Sequence, residues 1–240
     1  MRKTLLIILL LSLSVGFSQQ EYNSNDLIEM DNGLWTVKFS DEPITGMVYG
    51  GFGEDDNNLK KVYIGNLLNG KKEGRWKSYY HSTGKKIYDL NFKNGKKDGL
   101  RTRWFENGQK EFEGTYKDGK PYGTQTDWFE NGQKFYEGTY KDGIPDGLFT
   151  SWYENGQKEF EVTYKDDKED GLFTFWYENG QKWQEATYKD GERDGKYTEW
   201  YENGQKEVES TYKDGELISS KCWDEDGDEC ECNSWGTGCN

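Results

Sequence analysis

One seven-residue phrase constrains this chain more than any other feature. Trp152-Tyr153-Glu154-Asn155-Gly156-Gln157-Lys158 recurs in five copies, with Phe or Tyr at the second position. Its tryptophans, Trp104, Trp128, Trp152, Trp176 and Trp200, are spaced by 24 residues, and its glycines, Gly108, Gly132, Gly156, Gly180 and Gly204, keep the same interval. A fixed period of this size is the mark of a repeat architecture. One unit cannot bury its apolar face alone and stacks on its neighbours to do so.

Each unit reads as a β-hairpin. Asn155-Gly156 interrupts any helix, and the flanking runs are rich in Phe, Trp, Tyr and Thr. A three-residue loop, with Gly156 in the left-handed position, pairs Tyr153 with Gln157. It places Trp152 on one face with Phe160, Val162 and Tyr164, which gathers the apolar residues. A second turn, Tyr116-Lys117-Asp118-Gly119, recurs with Tyr140, Tyr188 and Tyr212. In the copy after Tyr164, Asp167 stands where the others have Gly, and aspartate tolerates the left-handed conformation. The predicted fold is all-β: an elongated antiparallel sheet of tandem hairpins. Tryptophan and tyrosine are expected to alternate along one face, with Gly114, Gly138, Val162, Ala186 and Ser210 leaving room. The tryptophans are then core, because they bury much area; the alternative is a row of platforms on which sugar rings stack.

Five segments follow from the pattern. Residues 1–18 read as a signal peptide: Arg2 and Lys3 precede an apolar run from Leu5 to Val15, too short for a bilayer, and small residues mark cleavage after Ser18. Residues 19–42 are a lead-in without much order of its own, plus a first strand at Leu34–Phe39. Residues 43–98 hold atypical and degenerate repeats, with Tyr79 in the place of Trp104. Residues 99–221 are the regular repeats, and 222–240 form a cysteine-rich cap. Export to the periplasm, cell surface or extracellular space is the expected destination.

Composition narrows the chemistry. The net charge of −14 supplies no basic stripe for nucleic acid, and no polybasic patch for a lipid surface. His81 is the only histidine and is placed in a hairpin turn. Glu106, Glu130, Glu154, Glu178 and Glu202 occupy equivalent turn positions, whereas an acid–base pair needs two carboxylates in different environments. No catalytic residue, metal site or cofactor is predicted.

The glycine-bounded Tyr-x-x-Gly and Glu-Asn-Gly-Gln-Lys phrases resemble the MORN-repeat variant. More closely, they are similar to repeat proteins of the YwqK-type toxin–antitoxin antitoxin family. The resemblance spans roughly residues 43–227 and implies hairpin arrays, protein contacts and an antitoxin-like role.

All four cysteines, Cys222, Cys230, Cys232 and Cys239, lie in the last segment. In an exported chain an even count favours disulfides. The three-residue register sets Cys222 opposite Cys230, which suggests that bond and a second between Cys232 and Cys239. Function is expected at positions that vary between copies: Arg101, Gln125, Phe149, Phe173 and Tyr197. The expected activity is that of an exported, non-catalytic scaffold binding a protein, such as a toxin. A cell-wall or polysaccharide-binding module is the alternative.

Overall fold

A computed structural model describes residues 20–52, 60–233 and 236–239; the predicted signal peptide lies outside the described residues. The strands are β1 (Glu21–Asn23), β2 (Leu27–Glu29), β3 (Trp35–Val37), β4 (Gly46–Phe52), β5 (Lys60–Leu68), β6 (Lys71–Tyr79), β7 (Lys86–Lys93), β8 (Lys96–Trp104), β9 (Lys110–Lys117) and β10 (Lys120–Trp128). They continue as β11 (Lys134–Lys141), β12 (Ile144–Trp152), β13 (Lys158–Lys165), β14 (Lys168–Trp176), β15 (Lys182–Lys189), β16 (Glu192–Trp200), β17 (Lys206–Lys213), β18 (Glu216–Trp223) and β19 (Glu229–Cys230). From β4 to β19 each strand pairs antiparallel with the next, so hairpins alone build one long sheet, and β1 joins its start parallel to β4. The expected fold class is the observed one.

The lead-in departs from expectation. Residues 20–31 carry β1, a 3-10 turn at Ser24–Asp26, and β2, which pairs with β3 in a separate ribbon. Leu27 is buried there against Ile44, Val48 and Trp76, and that burial orders a segment whose composition is polar. Tyr79 does take the Trp104 position: Tyr79 pairs with Lys86 as Trp104 pairs with Lys110.

The hairpin loop is the three-residue one. Tyr153 N–H donates to the Gln157 carbonyl at 2.9 Å, Gly156 N–H donates back to the Tyr153 carbonyl at 2.9 Å, and Gly156 sits at φ +86°. At the opposite edge, Asp142 and Gly143 are both left-handed (φ +52° and +93°), which fits the twist of the strands they join. Asp167 holds φ +69° in the glycine position, and the turn still closes with Lys165 paired to Lys168.

The predicted face of the tryptophans is wrong. Trp152 pairs with Lys158 as the loop requires, but the next pair is Ser151 with Phe160, so Glu159 is an extra residue on β13. A bulge of this kind shifts the alternation beyond it. Phe149, Ser151, Phe160, Val162 and Tyr164 share one face, while Leu148, Thr150, Trp152 and Glu161 share the other. The tryptophan and tyrosine series therefore lie on opposite faces of the sheet.

The tyrosine face carries the core. A row crosses the sheet in which large residues face small ones: Gln125 between Gly114 and Gly138, Phe149 between Gly138 and Val162, Phe173 between Val162 and Ala186, Tyr197 between Ala186 and Ser210. A Cβ on Gly138 would overlap the Phe149 ring. That ring meets Tyr140 and Tyr164 edge-on, each at 5.1 Å between centroids, the geometry that aromatic quadrupoles favour. Burial here is lateral, between neighbouring strands of the same sheet.

The register of the last hairpin is as expected, with Cys222 opposite Cys230. The bonds are not: they join Cys222 to Cys232 and Cys230 to Cys239. After β19 the chain folds back over β18, where the Ser220 hydroxyl donates to the Gly236 carbonyl at 3.0 Å. This brings Cys232 to 5.3 Å from Cys222 (Cα–Cα), within the usual disulfide span. The four cysteines close the end of the core formed by Ala186, Tyr197 and Val208.

Candidate interaction surfaces

Every residue of the repeated phrase has a structural task. The Asn155 side-chain oxygen accepts from Gln157 N–H at 2.9 Å, and its amide donates to the Glu178 carbonyl of the next unit at 2.9 Å. Asn107, Asn131, Asn179 and Asn203 make the equivalent pair of contacts. A Cβ on Gly156 would overlap the Gln133 side chain one unit back. The hydroxyls of Tyr153, Tyr177 and Tyr201 donate to the carbonyls of Trp176, Trp200 and Trp223. On the opposite edge, Gly143 N–H donates to Pro121, Asp167 to Pro145 and Gly191 to Glu169. Both edges are thus stitched from unit to unit, so the phrase specifies how repeats stack as well as how each one turns.

Lysine, glutamate and tryptophan form a second repeating device on the other face. Lys134 pairs with Glu137 at 2.6 Å, and its Nζ lies 5.5 Å from the ring centroid of Trp152. Lys110 stands over Trp128, Lys158 over Trp176, Lys182 over Trp200 and Lys206 over Trp223 in the same way. Each ion pair is partly solvated and contributes at most about 1 kcal/mol. Each cation–π contact adds about 0.5–1 kcal/mol. Beneath them lie buried threonines, Thr126, Thr150, Thr174 and Thr198.

These units carry a known repeat signature. Five stretches match the MORN repeat variant. They are residues 97–118, 121–142, 145–166, 169–190 and 193–214. No curated protein matches the chain. Each matched segment begins in the strand after a left-handed two-residue turn (Asn94-Gly95 before the first, Asp166-Asp167 before the fourth, Asp-Gly elsewhere), passes the Glu-Asn-Gly hairpin, and ends in the following turn. MORN repeats are in general non-catalytic scaffolds for protein or lipid interaction.

The positions that vary between units are not a free surface. Gln125, Phe149 and Tyr197 are 4%, 3% and 4% exposed, while Arg101 and Phe173 are half-buried. They are the large members of the core row, so their variation answers to packing. Arg101 lies 4.7 Å from the Phe112 ring centroid and bonds the Tyr116 hydroxyl. Burial, followed by the Glu199 hydrogen bond, raises the Tyr197 hydroxyl far above its usual pKa.

Accessible apolar surface lies instead on the tryptophan face. Leu100, Leu148 and Leu172 are 49%, 49% and 52% exposed and stand on the same face as Trp104, Trp152 and Trp176, which are half-buried. Sequence reasoning missed these leucines because the bulge reverses the faces. The signal that finds them is Leu four residues before each of these tryptophans, at the same alternation.

Proposed function

We propose that this chain is an exported, non-catalytic scaffold that docks a protein partner on the tryptophan–leucine face of its MORN units. One observation supports this above others: Leu100, Leu148 and Leu172 expose about half their surface on the same face as half-buried tryptophans. Well-packed protein interfaces combine such apolar anchors with a polar rim, and the Lys–Glu pairs supply that rim. The same device weighs against a glycan-stacking row, since a lysine stands over each of the tryptophan rings from Trp128 to Trp200.

The test uses the purified chain as bait against envelope and culture fractions of the source cells. A partner that binds the native chain and is lost with Leu148→Asp/Leu172→Asp supports the reading. Retention by that variant, with its fold intact by circular dichroism, sinks it. The antitoxin-like version requires in addition that the captured partner be toxic and be neutralised in a stable complex. Export itself is read from the N-terminus of the protein outside the cell, expected at Gln19.

A further inference from the structure

Away from the matched units, where the Ser24–Asp26 turn meets β4, β5 and β6, lies an open cleft of about 730 Å³. Small-molecule sites usually occupy roughly 300–1,000 Å³ and combine apolar walls with a few placed polar groups. The walls here are aromatic: Tyr22, Trp35, Tyr49, Tyr79 and Tyr88. Between them stand hydrogen-bonding groups, Asn23, Ser24, Asn25, Ser78 and His81.

Among the described residues, the charge lining the cleft opposes that of the chain: Lys61, Lys72 and Lys77 stand there against one carboxylate, that of Glu21, on a protein of net charge −14. Lys61 is satisfied by Glu21 at 2.5 Å. Lys72 is not matched in this way. Its Nζ sits 4.8 Å from the ring centroid of Trp35, 5.0 Å from Trp76 and 5.3 Å from Phe92, and it makes no ion pair among the described residues. Burial pushes its pKa below the ordinary lysine value, while the charge of Glu29 pulls the other way. Holding an ammonium out of water without a carboxylate is costly, and three aromatic rings offset only part of that cost. Such a cation at the wall of an open cleft is prepared for an anion that comes from elsewhere.

We propose that this cleft binds an acidic sugar, its ring against the tyrosine walls, its hydroxyls on the asparagine, serine and histidine groups, and its carboxylate on Lys72. A flat aromatic acid would satisfy the walls and the lysine but make no use of the asparagine, serine and histidine groups, which a sugar's hydroxyls would engage. A neutral sugar would leave Lys72 without its anion. The inference is independent of the docking face, because none of the cleft residues belongs to the matched units.

Isothermal titration of the purified chain tests it, with digalacturonate, its methyl ester and benzoate as probes. Digalacturonate is expected to bind at least about ten-fold tighter than the ester, the worth of one charge-assisted hydrogen bond, and tighter than benzoate. Lys72→Met should erase the preference for acid over ester without lowering the thermal midpoint, whereas Lys72→Arg and the remote Lys206→Met keep it. Equal binding of acid and ester, benzoate binding as tightly as digalacturonate, an unchanged preference in Lys72→Met, or no binding by any probe overturns the proposal. The acid–ester comparison on the native chain requires no variant to fold.

Discussion

The side-chain amide of Asn155 donates to the main-chain carbonyl of Glu178, one repeat ahead, at 2.9 Å. The same side chain also accepts from Gln157 N–H, so one residue closes its own turn and ties it to the next. Asn155→Ala removes both bonds and should cost about 1–2 kcal/mol. Asn155→Asp keeps the acceptor, replaces the donor with an oxygen facing a carbonyl, and should fall between wild type and alanine. Urea midpoints at constant slope measure both.

The core row predicts coupling between facing positions. Gly138→Ala drives a methyl group into the Phe149 ring and should cost about 1–3 kcal/mol. Phe149→Leu shortens the obstruction. In the double variant the two costs should sum to less than their separate values by at least about 0.5 kcal/mol. Strict additivity would mean that Gly138 and Phe149 do not face each other.

Non-reducing digestion and mass mapping should recover Cys222–Cys232 and Cys230–Cys239. Loss of the first bond in Cys222→Ser/Cys232→Ser releases a loop of about ten residues and should cost about 2–3 kcal/mol on a chain-entropy estimate. The Cys222–Cys230 alternative would leave the register intact but contradict the fold-back that seats Gly236 against Ser220.

Asp89 provides a pH-dependent contribution. Burial alone would raise its pKa, but Arg75, bonded at 2.6 Å through Nε and a terminal nitrogen, and Lys86 at 3.4 Å hold it below the usual value. A folded-state pKa below the unfolded one, which lies near 3.9 for aspartate, stabilises the fold above that pH. The contribution is lost as pH falls through the folded value. Arg75→Met should therefore cost about 1–3 kcal/mol at pH 7. The gap from wild type should close in acid-titrated thermal melts. Glu207 works in the opposite sense. Burial, then Glu199 and Glu225, raises its pKa, so its ionisation opposes folding as pH rises. Glu207→Gln should stabilise the chain at neutral pH and lose that advantage in acid.

Much of this fold was legible because the strongest signals are local. Asn155-Gly156 and Asp142-Gly143 dictate left-handed turns, and a 24-residue period dictates stacking. The loop type, the Tyr153–Gln157 pair and the Cys222–Cys230 register all follow from them. Facing was not legible, because one inserted residue, Glu159, reverses the alternation, and nothing in Lys158-Glu159-Phe160 announces a bulge. That single shift moved Trp152 out of the core and Phe149 into it, and carried the expected surface residues inside with it. The disulfide pairing was hidden for a different reason: it depends on a fold-back of the tail over β18, held by the Ser220–Gly236 contact, which the spacing of the cysteines does not reveal. The ladders from Asn155 to Glu178 and from Gly143 to Pro121 join units, and a single hairpin considered alone cannot reveal them.

Which face holds the tryptophans decides which surface a partner can reach, and nuclear Overhauser contacts from the Trp152 indole report it most directly. Contacts to the side-chain methylenes of Lys134, with none to the methyl groups of Val162, are the expected result. Contacts from Trp152 to Val162 would return the tryptophans to the core face and contradict the arrangement described above.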